Sequence, residues 1–186
     1  MRRMLWILLL PPLLSGCFPV VATGVGAGAL MAADRRTSGA YIDDEAIELK
    51  AGNRISAEFK DSAHVNVTSY NRSVLLTGEV PSESAKTRVE QIARSVENVR
   101  AISDELAIQP NSSLGSRSND VLITTKIKTQ FLNSKDVPAN VVKVVTERDV
   151  VYLLGIVSHK EGDAAAQMAS TTGGVKKVIE LFEYTD

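Results

Sequence analysis

Apolar residues recur along this chain with two periods, and the succession of the two periods occurs twice. Ile47, Ala51, Ile55 and Phe59 stand four apart, the spacing of one helix face. Val65 and Val67 then alternate with polar residues, and Ser73-Val74-Leu75-Leu76-Thr77-Gly78-Glu79-Val80 follows after the polar turn Tyr70-Asn71-Arg72, a hairpin signal. A second helix is expected from Ser82, with Glu83 favoured in its first turn, and a last strand over residues 101–108. The succession then restarts. Ile123, Ile127 and Phe131 mark a helix, two β-rich stretches flank the turn Glu147-Arg148-Asp149, and Ser158 with Glu161 three residues on predicts a capping box. A final strand is expected over residues 177–184.

The two copies align residue by residue through their strands. His64-Val65-Asn66-Val67-Thr68 matches Val141-Val142-Lys143-Val144-Val145, and residues 73–80 match residues 150–157. The expected fold class is therefore α+β: two tandem α-β-β-α-β modules, each a small sheet covered by helices on one face. The modules are placed at residues 43–109 and 119–186, joined by the turn-rich linker 110–118. Chains of this size bury only modest cores, so the modules are expected to pack on one another. The loop 133–140, with Val137-Pro138, lengthens the second copy and is expected to join one of two surfaces, a lipid-facing one or one packed on the first module.

Ahead of the modules, Arg2 and Arg3 precede an apolar run over residues 5–14, and Leu14-Ser15-Gly16-Cys17 follows. A basic head, a short apolar core and a small-residue exit are the parts of a secretory signal, and the run is shorter than the ~20 residues a bilayer span requires. Leu14-Ser15-Gly16-Cys17 resembles the lipobox of bacterial lipoproteins. That resemblance implies a signal over residues 1–16, cleavage before Cys17, lipid on Cys17, and a lipidated tether over residues 17–42. Phe18 in place of Asp after the cysteine implies sorting to the outer membrane. A coil of the tether's length reaches ~28 Å.

Composition narrows the chemistry. Acidic and basic residues nearly balance, 22 against 21, and aromatics make up 5%, so neither a basic field nor a stacking platform for nucleic acid is present. Cys17 is the single cysteine, which rules out disulfides and zinc–thiolate sites. His64 opens a strand and His159 a helix. Ser158-His159 is explained by a helix cap, and Asp43-Asp44-Glu45 by acids at a helix start. Gly24 to Gly28 lack the Lys-Ser/Thr of a phosphate loop. No catalytic residue, metal site or cofactor is expected beyond the lipid on Cys17, and the chain is not expected to be an enzyme.

One helix carries a surplus of apolar residues. With Ile127 at the centre of the core stripe, Val121, Leu122 and Leu132 fall about 120–140° away, at about 100° per residue. Lys126 and Lys128 flank this second strip, with Thr125 and Thr129 between. An apolar strip edged by lysines suits the boundary between anionic headgroups and acyl chains. The alternative is that Val121, Leu122 and Leu132 pack on the first module or the linker. In the first module the corresponding helix shows Asn53, Ser56, Ala57 and Lys60 outward, with only Leu49 as a large apolar group.

The V-x-V stretches Val65–Val67 and Val142–Val144, the V-x-L-x-G-x-V-like stretches at residues 74–80 and 151–157, and Gly174-Val175-Lys176-Lys177-Val178 together resemble the BON domain. Two such copies behind a lipobox resemble dual BON-domain outer-membrane lipoproteins. The first copy departs at Glu97-Asn98-Val99, where Gly-Gly-Val is expected. The resemblance implies a non-enzymatic protein that binds anionic, phosphatidylglycerol-like phospholipid at the periplasmic face of the outer membrane. It further implies a role in envelope integrity, a link to the division site, and contact with outer-membrane assembly or division proteins. An adaptor that uses the same helix strip for a protein partner is the rival reading.

Overall fold

The computed structural model describes residues 34–186; Cys17, the signal and most of the tether lie outside the described residues. The first helix, α1, spans Ser38–Phe59 and is capped by Thr37, whose hydroxyl accepts the Ala40 amide. It therefore begins inside the stretch assigned to the tether. After a short 3-10 turn come β1 (His64–Tyr70), β2 (Ser73–Val80) and α2 (Glu83–Arg94), the last capped by the Ser82 hydroxyl. The expected strand over 101–108 is split into β3 (Ala101–Asp104) and β4 (Ala107–Ile108). The break lets Leu106 turn into the core while Asp104 accepts its amide.

The second module repeats the order. Helix α3 spans Leu114–Asn133, capped by Ser113 and so starting within the expected linker. Strands β5 (Lys143–Glu147) and β6 (Val150–Val157) follow, then α4 (His159–Ser170) and β7 (Lys177–Tyr184). At α4 the capping box between Ser158 and Glu161 forms as expected. In each module the central strand pairs antiparallel with the strand before it and parallel with the strand after α2 or α4.

The central strands β2 and β6 are buried on both faces, and that settles how the modules meet. Val74, Leu76 and Val80 face α1 and α2; Val151, Leu153 and Val157 face α3 and α4. The opposite faces supply a further core, with Leu75 and Tyr70 packed against Tyr152 and Leu154. The two sheets thus stack face to face, as expected of modules too small to bury enough surface alone. One end of the seam carries the bond from the Tyr70 hydroxyl to the Val141 carbonyl, at 2.9 Å, and the Lys143–Glu48 pair. At the other end Arg148 holds Glu79 at 3.0 Å and the Asn66 amide donates to Glu147 at 2.8 Å.

Both hairpins turn through two residues with positive φ: Asn71 and Arg72 at 50° and 66°, Arg148 and Asp149 at 52° and 66°. This is the two-residue turn whose twist matches paired strands, though it is costly for residues other than Gly, Asn and Asp. Each turn is held by one buried carboxylate. Asp44 accepts the Asn71 and Arg72 amides at 2.8 and 2.7 Å, and Asp120 accepts the Arg148 and Asp149 amides at 3.0 and 2.9 Å. The expectation that Asp44 stabilises a helix start is thereby corrected: α1 begins at Ser38, and Asp44 lies in its second turn, facing inward. Asn98 adopts φ 69° at the turn before β3, where the second module has Gly174 at 105°. Asparagine tolerates this region, so the departure from Gly-Gly-Val keeps the turn.

A strap joins the start of the described chain to both modules. Arg36 pairs with Asp34 and Asp44 and lies over the rings of Tyr41 and Tyr70. Arg35 crosses to the second module, where it pairs with Glu161 through Nη1 and Nη2 and donates from Nη1 to the Ile156 carbonyl.

Candidate docking face and the cleft beside it

Helix α3 spends one face on its own module. Ile123, Ile127 and Phe131 are buried among Val144, Val151 and Ala165. The other face is open: Val121, Leu122 and Leu132 are 65%, 59% and 75% exposed. They pack on neither the first module nor the linker, because the sheets meet on the far side of β5 and β6 from α3. The early start of the helix adds Leu114, which is 81% exposed. At about 100° per residue, Leu114, Val121 and Leu132 lie within about 20° of one line running the length of the helix. Lys126 and Lys128 are exposed at its edges. The expectation that the loop 133–140 joins a surface is corrected at Val137, which is taken into the module core and does not extend the strip.

The polar residues of this face are already bonded to the helix. The Thr125 hydroxyl donates to the Val121 carbonyl, Thr129 to the Thr125 carbonyl, both at 2.8 Å, and Asn133 to the Thr129 carbonyl at 2.9 Å. Such back-bonds leave fewer donors that must keep water, so covering the strip costs less desolvation than its composition suggests.

Beside the strip a cleft of about 470 Å³ opens between β1 and α3, lined among others by His64, Arg117, Val121, Lys128 and Glu147. Behind His64 lies Glu79, fully buried. Burial pushes the Glu79 carboxyl up, but bonds from the Ser112 amide, His64 and Arg148 outweigh it and hold the group below the usual range. Glu147 moves the other way: burial raises it, and the Asn66 amide offsets only part of the rise. The side-chain atoms of His64, Glu79 and Glu147 come within 4.8 Å of one another. Sequence spacing carries no sign of this cluster, since its members sit on three strands of two modules.

Ser158 and His159 do not form a working pair. The Ser158 hydroxyl caps α4, while His159 stacks on Tyr184 with ring centroids 4.0 Å apart and meets Asp186 at 2.9 Å. No helix among the described residues is long and apolar enough to cross a membrane.

The fold and the open helix define a class: a two-module α+β protein whose second module presents an apolar helix face. Residues 43–110 and 119–186 each match the BON domain, and the chain belongs to the BON-domain family. It is 40% identical to the outer membrane lipoprotein DolP of Haemophilus influenzae, over 93% of this chain and 91% of that protein. It is 38% identical to a 21 kDa hemolysin of Actinobacillus pleuropneumoniae, covering 81% of this chain and 79% of that one. To osmotically-inducible protein Y of Escherichia coli it is 30% identical, over 84% of this chain and 80% of that protein.

Proposed function

We propose that this chain is an outer-membrane lipoprotein that faces the periplasm, held by acyl chains on Cys17. In this reading α3 of the second BON module docks reversibly on anionic, phosphatidylglycerol-like phospholipid, and the protein supports envelope integrity, with the division site as its place of action. The lipobox-like Leu14-Ser15-Gly16-Cys17 and the likeness to an outer membrane lipoprotein support the anchoring. The observation that carries the docking is the open strip Leu114, Val121, Leu122 and Leu132 with lysines at its edges.

The energetics suit a weak, tethered contact. Each lysine near an anionic surface contributes ~1 kcal/mol, and burying one leucine side chain about 1.5–3 kcal/mol. The anchor keeps the helix near the bilayer, so a site of modest affinity is occupied by effective concentration. No catalytic step is part of this function.

The test is binding of residues 34–186, which contain all the cores described, to phosphatidylglycerol vesicles at low salt. Leu122→Glu is expected to weaken binding at least tenfold with the circular dichroism spectrum unchanged. Absence of vesicle binding by the unmodified protein sinks the lipid reading and leaves the strip to a protein partner.

A further inference from the structure

The seam between the modules has two ends related by the internal repeat, and they differ in chemistry. By the alignment of the copies, His64 corresponds to Val141, Glu79 to Ile156 and Glu147 to Tyr70. At the Tyr70 end the modules meet through apolar packing, the hydroxyl-to-carbonyl bond to Val141 and the Lys143–Glu48 pair, with no imidazole–carboxylate cluster at these positions. At the other end the same positions hold an imidazole and two buried carboxylates. Joining the sheets therefore does not require those three groups, since the equivalent end does without them.

We propose that His64, Glu79 and Glu147 bind one divalent transition-metal ion of the zinc class, clamping the two BON modules together. The donors come from β1 and β2 of the first module and β5 of the second. Their ligating atoms lie within 4.8 Å of one another, and His64 Nδ1 and Glu79 Oε2 are already 3.0 Å apart. Around a tetrahedral ion with bonds of about 2.0–2.2 Å, neighbouring ligand atoms stand about 3.3–3.6 Å apart, so a small shift of the Glu147 side chain completes the triad. One nitrogen and two carboxylate oxygens form a mixed donor set that zinc and its neighbours accept, whereas magnesium prefers six oxygens.

Access agrees with this assignment. His64 and Glu147 line the open cleft, so a hydrated ion reaches them and a water from the cleft can fill the fourth position. Arg148 holds Glu79 through Oε1, while Oε2 accepts the Ser112 amide at 3.0 Å and turns its remaining side to His64. Glu79, Glu147 and Asp120 of α3 carry three carboxylates, and Arg148, Arg117 and Lys128 balance them, so the donors sit in a near-neutral setting and ligation, not net charge, must hold the ion. An independent sign lies next to the triad. The Thr77 hydroxyl is 1% exposed and has no hydrogen-bond partner among the described residues. Thr77 stands two residues before Glu79 on the same face of β2, opposite Asn66, whose amide holds Glu147. A buried hydroxyl left without a partner is rare in native folds and marks a place where a further polar group belongs.

The test uses the full-length lipoprotein in detergent micelles, stripped with a chelator. Zinc titrated by calorimetry is expected to bind one ion per chain and to raise the unfolding temperature, while magnesium does neither. His64→Ala and Glu147→Gln are each expected to weaken zinc binding at least tenfold, and His159→Ala to leave it unchanged. Cobalt(II) in place of zinc is expected to show a visible spectrum of nitrogen and oxygen ligation that His64→Ala abolishes. If Glu147→Gln fails to fold, the His64→Ala arm and the cobalt spectrum decide alone. Absence of zinc binding, or binding of equal strength in the His64 and Glu147 variants, overturns the proposal.

Discussion

Helices α1 and α3 occupy the same place in their modules, yet their outer faces differ. On α3 the exposed apolar residues run from Leu114 to Leu132 with Lys126 and Lys128 at the margins. On α1 the exposed large apolar residues are Ile42 and Leu49 on one line, with Tyr41 half covered by Arg36, and Glu45 lies exposed beside them. Ile42 escaped the sequence reading because the helix was expected to begin at residue 43, whereas Thr37 caps it earlier. An anionic surface attracts the first face and is repelled at Glu45 on the second. The inward faces show the reverse relation. Each helix sends one aspartate to the backbone of its module's hairpin, so the duplication keeps the structural device and varies the surface.

The largest expected effects break the shared device. Asp44→Ala removes the acceptor for two turn amides and the Ser69 hydroxyl, and leaves Arg36 without one of its partners. A loss of about 3–5 kcal/mol in chemical denaturation is expected, the range for breaking a partly buried pair together with its hydrogen bonds. Asp120→Ala, which takes only the turn amides of its hairpin, should lose less, about 2–3 kcal/mol. Equal losses in the two variants count against the added weight given to Arg36.

The next contrast lies within α3. Ile127→Ala should cost about 2–5 kcal/mol as a core truncation, and Leu122→Ala less than about 0.5 kcal/mol as a surface change. In vesicle binding the order inverts: Leu122→Glu is expected to lose at least tenfold, while Leu49→Glu on α1 leaves binding unchanged. A comparable loss from Leu49→Glu would erase the distinction between the helices.

The smallest effect sharpens the role of the strap. The Arg35 guanidinium beside Glu161, with help from the Ser158 amide, brings that carboxyl from the ordinary value of 4.5 down to about 2. Because the folded value is depressed, its stabilisation is present above pH 4.5 and fades as pH falls toward 2. Arg35→Ala should flatten that part of the stability profile and, for a largely exposed pair, cost less than about 1 kcal/mol at neutral pH. An unchanged acid limb in equilibrium denaturation denies the pairing.

Much of this architecture was legible from local pattern. The four-residue spacing of Ile47, Ala51, Ile55 and Phe59, the alternation at Val65 and Val67, and the Ser158–Glu161 box each concern steps of two to four residues. The caps at Thr37 and Ser113 were missed because each lies in a polar, glycine-containing stretch that reads equally well as linker. The break between β3 and β4 falls at the polar stretch Ser103-Asp104-Glu105 and was missed because Leu106-Ala107-Ile108 resumes the apolar run directly after it. His64, Glu79 and Glu147 had no local signal, since only the stacking of the sheets brings them together.

The sequence by itself determined the duplication, the order of elements, the hairpin positions and the second apolar strip of α3, because periodicity, caps and turns act over a few residues. Tertiary structure decided which apolar residues remain uncovered and which charges become neighbours. The face of α3 stays open because the modules join through β2 (Ser73–Val80) and β6 (Val150–Val157), and that choice is a matter of long-range packing between strands far apart in the chain.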